Sequence, residues 1–196
     1  KDESDKEEEV TKKPDDLTFV TEHHPVNNEL YVIERLIEAV SNFDYPADKF
    51  EIQVLDDSTD ETIQKIDKKV KEVQARGIDI KQVRRPERTG FKAGALKFGT
   101  AIAKGNFIAI FDADFIPEED FLIKTVPYFR NAEIGMVQTR WGHLNKDYSL
   151  ITQMQAFGLD AHFTVEQQGR NVAKSFMNFN GTAGVWRKQC IEEAGG

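Results

Sequence analysis

Two aspartates, Asp112 and Asp114, stand one residue apart directly after an unbroken apolar run over residues 107–111. Carboxylates are hard oxygen ligands, and Mg²⁺ commonly binds through one or two of them together with substrate phosphates. The spacing also lets the two side chains contact different parts of one ligand. The pair therefore indicates a site for a diphosphate carried by Mg²⁺ or Mn²⁺. A solvated acidic turn is the alternative interpretation, and this short motif does not by itself decide between the two.

The apolar run predicts a strand buried on both faces, because no polar residues alternate with the apolar ones. A second predicted strand, over residues 50–55, also ends in acids, Asp56 and Asp57. The first predicted strand leads into a turn at residues 25–28. Right-handed crossovers bring the carboxyl ends of parallel strands to one edge of the sheet, where open α/β folds bind ligands. We therefore expect these three strand ends to line one crevice.

Strand and helix patterns alternate along the chain. Predicted strands cover residues 17–21, 50–55, 78–83, 107–111 and 134–141, and predicted helices follow Asn28, follow Thr59 or Asp60, and cover residues 91–104, 118–130 and 150–168. Such alternation predicts βαβ units and an α/β fold with a mainly parallel central sheet between helices. The sequence Glu22-His23-His24 is not expected inside a central strand, because charge and imidazole do not suit that environment.

The acidic crevice needs a source of positive charge, since carboxylates alone would repel a diphosphate. Basic residues cluster between the third strand and the next helix, at Arg84, Arg85, Arg88 and Lys92. Lys92 lies in the first turn of that helix, after Gly90, where backbone N–H groups also favour an anion. A solvated basic loop is the open alternative for the arginines, and for Lys92 the two interpretations are balanced.

Composition indicates one globular domain with an acidic extension. The 196 residues carry a net charge of −8, and residues 1–16 alone hold four lysines and eight acids. We expect residues 1–16 to be a disordered tail and residues 17–196 to form the domain. The acidic balance argues against binding to nucleic acid. A single cysteine excludes an internal disulfide, and no apolar run reaches membrane-spanning length, so we expect the chain to be soluble.

Five motifs then occur in a fixed order, at residues 53–60, 90–96, 111–117, 137–141 and 180–184. With them the chain resembles the cellulose-synthase-like branch of the family 2 glycosyltransferases, which includes bacterial β-glycan synthases and related glucosyltransferases acting on lipid. The resemblance covers roughly residues 17–196. It implies a GT-A fold, a Rossmann-like three-layer sandwich. It also implies inverting transfer of a sugar from a UDP- or GDP-linked donor to a glycan or lipid acceptor, with Mg²⁺ or Mn²⁺ as cofactor.

The resemblance also implies roles for individual residues. Asp57, beside Asp56, is expected to contact the nucleotide base, Asp112 the ribose, and Asp114 the metal. The implied donor-binding set is Pro25, Asn27, Asp56, Asp57, Lys92, Asp112 and Asp114, and the implied sugar and acceptor set is Gln138, Thr139, Arg140, Trp141, Asn180, Gly181 and Thr182. Asn27 departs from the pattern, because family members carry an aromatic residue there that stacks on the base.

Family members continue past the last of these motifs with a Thr-Glu-Asp segment that supplies the catalytic base, a Gln-x-x-Arg-Trp segment and membrane helices. The resemblance therefore implies that the general base lies beyond Gly196, so we name no catalytic residue within the 196 residues. We expect this chain to be an amino-terminal part of a larger enzyme at the cytoplasmic face of the cell membrane. We therefore expect this chain alone to transfer sugar poorly or not at all, and to meet the membrane only through segments outside it.

Two other classes of function compete with glycosyl transfer as interpretations of this sequence. A non-catalytic nucleotide-sugar-binding module is the alternative, at least for this stretch of chain by itself. A dinucleotide oxidoreductase is disfavoured, because no Gly-x-Gly-x-x-Gly follows the first strand.

Overall fold

The computed structural model describes residues 17–139 and 179–195, which form one six-stranded sheet flanked by helices. The strands are β1 Val20–Val26, β2 Phe50–Asp56, β3 Ile80–Val83, β4 Phe107–Ile110, β5 Met136–Gln138 and β6 Gly184–Arg187. The helices are α1 Ile33–Val40, α2 Thr62–Gln74, α3 Phe91–Ile102, α4 Phe121–Thr125 and α5 Lys188–Glu193, with 3₁₀ turns at Ala47–Lys49 and Val126–Arg130. The predicted α/β class is confirmed.

The sheet has the strand order β3-β2-β1-β4-β6-β5. Strand β1 pairs in parallel with β2 and β4, and β2 pairs in parallel with β3, whereas β6 is antiparallel to both β4 and β5. Val26, the last residue of β1, pairs with Asp56 of β2, and the Phe111 N–H just after β4 donates to the His23 carbonyl at 3.1 Å. The carboxyl ends of β2, β1 and β4 therefore lie along the same edge, as the motif positions require.

Phe111 anchors the turn that carries the two aspartates. Its side chain is fully buried and packs among four other rings. The ring centroids lie 4.8 Å from Phe121, 5.7 Å from His24, 5.8 Å from Phe115 and 6.0 Å from Phe43. Aromatic side chains contribute a large buried area and hold a defined geometry. The residue that precedes Asp112 is thus fixed in the core from several directions.

Strand β1 differs from the prediction, because it continues through Glu22, His23 and His24 to Val26, and all three polar side chains are 0% exposed. The expectation that they would not stand in a central strand is wrong. Glu22 and His24 share one face, with His24 Nε2 at 3.3 Å from Glu22 Oε2. Burial raises the pKa of Glu22 and lowers the pKa of His24 to about 3, so both shifts favour the uncharged form of the side chain. Pairing within the strand makes this burial possible.

The start of helix α1 also differs from the prediction. Asn28 does not cap the helix, which begins at Ile33. Asn28 has φ 61°, its N–H donates to Ser58 Oγ at 2.9 Å, and its Oδ1 accepts from the Thr59 N–H at 2.9 Å. It therefore joins the end of β1 to the end of β2. Asp60 does cap α2, since its Oδ1 accepts from the Thr62 N–H at 3.0 Å.

Two further expectations meet the structure only in part. The predicted helix over residues 118–130 is the short α4 followed by a 3₁₀ turn, and strand β6 and helix α5 were not predicted. No helix within residues 17–139 and 179–195 is long and apolar enough to cross a membrane.

Several predictions fall on parts of the chain that the structure does not describe. These are the tail at residues 1–16, the end of the strand predicted over residues 134–141, and the helix predicted over residues 150–168. Gly196 also lies outside the described residues. The expectation that the general base follows Gly196 therefore stays a prediction.

Candidate functional site

The candidate site lies where β2, β1 and β4 end. The first of its acids, Asp56, is hydrogen-bonded to other residues of the fold. Its side chain is fully buried. One oxygen accepts from the Ser58 N–H at 2.9 Å, and the other accepts from Gln82 Nε2 at 2.8 Å and from Arg84 Nη1 at 2.5 Å. These contacts satisfy the carboxylate and leave no surface for a ligand. The structure therefore places Asp56 to hold the turn, and the expectation that it contacts a donor stays a prediction.

The neighbouring Asp57 is clamped by Arg85. Nε of the guanidinium donates to Asp57 Oδ1 at 2.8 Å and Nη2 donates to Oδ2 at 2.6 Å, a bidentate pair. The side chain of Asp57 is 9% exposed and that of Arg85 is 6% exposed. Hydrogen bonding to the carboxylate raises the pKa of Arg85 above its usual value. Such a planar, two-bond pair fixes the orientation of the carboxylate as well as its charge.

Arg85 also connects Asp57 to the start of helix α3. Its Nη1 donates to the Thr89 carbonyl at 2.5 Å, and its Nη2 donates to the Phe91 carbonyl at 2.9 Å. The helix must come very close to allow this, and Gly94 provides the space. A Cβ at Gly94 would lie 1.9 Å from the Thr89 oxygen and 2.5 Å from Arg85 Nη1. A residue with any side chain at this position would have to displace the loop or the guanidinium.

Lys92 joins α3 to the end of β4. Its Nζ donates to Asp112 Oδ1 and to the Gly181 carbonyl, the latter at 2.9 Å. The side chains of Lys92 and Asp112 are 40% and 34% exposed, so the pair faces the crevice. The Asp112 N–H donates to Thr182 Oγ1 at 2.9 Å. Contacts therefore run without a break from Asp57 through Arg85 and the first turn of α3 to Asp112.

Gln138, the last residue of β5, connects that strand to the segment that precedes β6. Its Nε2 donates to the carbonyls of Thr182 and Ala183, each at 3.0 Å, and its Oε1 accepts from the Asn180 N–H at 3.2 Å. Thr139 Oγ1 donates to the Ala183 carbonyl at 2.9 Å. The structure thus brings together the described members of the two sequence motifs predicted to shape the sugar and acceptor end. The other two predicted residues, Arg140 and Trp141, lie outside the described residues.

Asp114 differs from the other crevice acids because its charge is not compensated within the described part of the chain. It is exposed, two residues past Asp112, and its side chain forms no hydrogen bond or ion pair with any described residue. The described residues contain no group of three or more side chains able to hold a metal on their own. A free carboxylate of this kind fits Mg²⁺ or Mn²⁺, which bind through one or two carboxylates plus substrate phosphates.

Asn27, which directly follows β1, lies in the crevice against Asp57 and Arg88. In the amide orientation that satisfies both groups, its Nδ2 donates to the Asp57 carbonyl at 3.2 Å and its Oδ1 accepts from Arg88 Nη2 at 3.3 Å. Pro25 lies on β1 opposite Leu55 of β2, two residues earlier. Asn27 is therefore in contact with two of the residues singled out by sequence.

The charged residues of the crevice could be identified from the sequence, but the way they pair could not. The basic loop was open to interpretation as a solvated segment, whereas Arg84 and Arg85 each hold one aspartate of the Asp56-Asp57 pair. Gly94, which allows the loop to approach the helix, was also missed. A glycine inside a predicted helix was the available signal, since such a residue usually has a packing reason.

The family model described as glycosyl transferase family 2 matches residues 24–192. A probable glucomannan 4-beta-mannosyltransferase of Oryza sativa subsp. japonica is 46% identical over 177 residues, which are 88% of this chain and 31% of that protein. Glucomannan 4-beta-mannosyltransferase 9 of Arabidopsis thaliana is 45% identical over 177 residues, 88% of this chain and 33% of that protein. The chain thus spans about a third of the length of these curated relatives.

Solved structures share the fold. The mannosyltransferase PcManGT from Pyrobaculum calidifontis, in complex with GDP-Man and Mn²⁺, matches with a TM-score of 0.73 and 24% identity, over 96% of this chain and 50% of that one. S. aureus TarS 1–349 in complex with UDP-GlcNAc matches with a TM-score of 0.65 and 16% identity, over 90% of this chain and 47% of that one. At these identities the likeness establishes the architecture alone.

Proposed function

This chain belongs to glycosyl transferase family 2 and has the GT-A fold, and from that premise we propose that it forms the donor-binding part of an enzyme that transfers a sugar from a nucleotide-diphosphate sugar. The observation that carries the proposal is the unbroken set of contacts from Asp57 through Arg85 to Lys92 and Asp112. Beside it lies the exposed Asp114, which has no partner among the described residues. These groups lie at the ligand-binding edge of a mainly parallel sheet.

Each end of this set suits a different part of the donor. Asp57 is held rigidly and little exposed, which suits a hydrogen bond to the edge of the base. Asp112 is half-buried and suits the ribose hydroxyls, while Lys92 in the first turn of α3 suits the diphosphate. Asn27 contributes an amide beside Asp57. Asp56 supports the turn from inside, through its pair with Arg84.

Asp114 is the residue we assign to Mg²⁺ or Mn²⁺. Its exposed side chain has no partner among the described residues, so binding a cation disrupts no described contact there. A bound divalent cation would offset the negative charge of the leaving diphosphate. Lys92 supplies positive charge from the other side, at the amino end of a helix. The chain's own part is thus to orient the diphosphate between a carboxylate-held cation and a lysine.

The transfer itself is proposed to invert the sugar. The acceptor hydroxyl oxygen attacks the anomeric carbon as the bond from that carbon to the diphosphate oxygen breaks, and a carboxylate takes the hydroxyl proton. Asp56, Asp57 and Asp112 are poor candidates for this proton acceptor, since each is already held in an ion pair, with Arg84, Arg85 and Lys92 respectively. The proposal therefore keeps the general base beyond Gly196, in the segment that the family resemblance implies.

The sugar itself is proposed to lie next to the diphosphate. Gln138, Thr139 and residues 180–182 shape the space there, because their mutual hydrogen bonds and the Lys92 contact to Gly181 join them to the end of β4.

The donor is proposed to be GDP-mannose and the acceptor a β-linked glycan. Two curated relatives at 45–46% identity are named glucomannan 4-beta-mannosyltransferases, and the solved neighbour with the higher TM-score of the two described contains GDP-Man with Mn²⁺. Amino-acid identity at this level across 88% of the chain is compatible with a shared donor.

The test is a calorimetric titration of the chain with GDP and GDP-mannose, with Mn²⁺ and then with excess chelator. Asp114→Asn should weaken the Mn²⁺-dependent binding about tenfold or more, since a contact to a charged group contributes roughly 1.5–3 kcal/mol. Asp60→Asn, which changes an acid that caps α2, is the matched control and should bind as the wild type does. Equal effects of the two substitutions would contradict the metal assignment, and absence of nucleotide binding by the wild type would contradict the proposal as a whole. Transfer of labelled mannose by the full-length protein then tests the reaction.

A further inference from the structure

Arg88 lies beside Asp57, at the end of the crevice where the nucleobase of the donor is proposed to bind. Its guanidinium carbon lies 5.5 Å from the centroid of the Phe91 ring, over its face. Its Nη2 donates to Asn27 at 3.3 Å, and its Nε lies 3.8 Å from Asp57 Oδ2. The side chain nevertheless remains 46% exposed. A planar cation is thus supported from one side by an aromatic ring and accessible to ligand.

Arg88 is not required to neutralise Asp57. Arg85 already makes two hydrogen bonds to that carboxylate, at 2.8 and 2.6 Å, while Arg88 stays beyond hydrogen-bond distance. Arg84 is likewise committed, to Asp56 and to the Ser58 carbonyl. Of the three loop arginines, Arg88 therefore has the guanidinium least used in holding the described fold together. A role in binding explains its position better than a role in the internal charge balance.

Phe91 supports the same conclusion. Its side chain is 70% exposed, and its backbone has φ 47°, a conformation that a bulky residue rarely adopts. The ring thus gives the core little, and strained backbone of this kind is found preferentially at functional sites. That conformation directs the Phe91 carbonyl to Arg85 Nη2 at 2.9 Å. The residue therefore connects the Asp57 clamp with the ring that carries Arg88.

We propose that the donor's nucleobase stacks on the guanidinium of Arg88. Phe91 is then the positioning residue, because its ring supports the guanidinium in the orientation that stacking requires. The inference rests on the proposed function, which places the base beside Asp57. Guanidinium planes stack on aromatic rings and also on bases, so one side chain can pack between a ring and a base. Every base has a π face, so stacking tolerates different bases. Base choice is then left to the edge contacts of Asp57 and Asn27.

The experiment compares three probes, GDP, UDP and inorganic pyrophosphate, each titrated calorimetrically in the presence of Mn²⁺. Arg88→Lys keeps the charge but removes the plane. It should weaken GDP and UDP binding by the same factor, roughly 5- to 150-fold, which is the effect of losing a base stack. Pyrophosphate, which has no base, should bind the variant within about twofold of wild type. Phe91→Leu should also weaken GDP and UDP binding but not pyrophosphate binding, with a smaller loss than Arg88→Lys. Phe91→Tyr, which keeps an aromatic ring, should bind all three probes as the wild type does.

The controls separate this inference from the proposed function. Arg76→Lys alters an arginine that pairs with Glu38 away from the crevice and should leave all three affinities unchanged. Unchanged thermal unfolding of Arg88→Lys excludes misfolding as the cause. Equal weakening of pyrophosphate would mean that Arg88 binds the diphosphate through the hydrogen bonds of its guanidinium, and a loss for GDP alone would mean that it contacts the edge of guanine. Either result, or no change at all, overturns the stacking assignment while leaving the proposed function standing. Failure of the wild type to bind both nucleotides overturns the two together.

Discussion

Protonation of His23 should limit the stability of this chain in acid. The side chain is fully buried on β1, where it faces Gly99 of α3, and burial lowers its pKa from 6.5 to about 4. Glu51 on β2 opposes this shift, while Lys81 on β3 and Lys188 on α5 reinforce it. The unfolded chain binds this proton below about pH 6.5 and the folded chain only below about pH 4. Stability is therefore fully present above pH 6.5 and is lost as the pH falls from 6.5 toward 4.

The size of this loss follows from the pKa difference. A fall from 6.5 to about 4 corresponds to ~3 kcal/mol, since one pKa unit represents ~1.4 kcal/mol. A domain of this size unfolds with a free energy of about 5–15 kcal/mol, so the proton affects a large share of it. Glu22 and His24 lie on the opposite face of β1, where burial favours the uncharged form of each. Both are retained in the variants that test His23, and the pKa of His24 is lowered first by its own burial and only second by His23.

The measurement is the free energy of unfolding in urea, followed by circular dichroism at about pH 7 and about pH 4.5. His23→Leu should lose ~2–3 kcal/mol less than the wild type between the two pH values, because leucine does not titrate. Thr125→Val is the matched control, since Thr125 is buried, carries no titratable group and donates its hydroxyl to the Phe121 backbone carbonyl. It should shift stability by the same amount at both pH values. An equal acid-induced loss in wild type and His23→Leu would refute the reasoning.

Two further predictions concern the clamp on Asp57. Arg85→Met should lower the free energy of unfolding by about 1–3 kcal/mol and weaken nucleotide binding, because it leaves a little-exposed carboxylate without its bidentate partner. Urea unfolding measures the first effect and calorimetry the second. Unchanged nucleotide affinity would contradict the role given to Asp57. Gly94→Ala should destabilise the chain by roughly 1–3 kcal/mol, because its Cβ would lie 1.9 Å from the Thr89 oxygen. Alanine normally stabilises a helix interior by about 0.5–1 kcal/mol over glycine, so an increase in the thermal midpoint would contradict the close approach.

The strands that position the site could be predicted largely because their burial is simple. Strand β4 is covered on both faces and therefore reads as a continuous apolar run, and the acids that follow it mark its carboxyl end. Strand β2 is also buried throughout, but Glu51 and Gln53 alternate with its apolar residues, and its carboxyl end is marked by Asp56. Because parallel strands end at one edge, the alternation of strands and helices predicted that these ends lie together.

The remainder depends on contacts between residues far apart in sequence. Glu22 and His24 are tolerated in β1 because they pair with each other, which a burial pattern alone does not reveal. Arg85 lies 28 residues from its partner Asp57, so no local pattern distinguishes it from a solvated arginine. Strand β6 follows Gly181 at φ 86° and Ala183 at φ 55°, and pairing with β4 imposes its extended form. Tertiary contacts override local propensity at each of these positions.

The pairing of charges at the crevice explains how an acidic edge accepts an anionic donor. Asp56, Asp57 and Asp112 are each compensated by a cation of the chain itself, at Arg84, Arg85 and Lys92. The exposed charges left over among the described crevice residues are the carboxylate of Asp114 and the guanidinium of Arg88, which are opposite in sign. A divalent cation and a diphosphate diester also carry opposite charges of equal size. Binding the two together therefore leaves the crevice balanced, whereas binding either alone does not, and this charge balance is why we expect nucleotide affinity to depend on the metal.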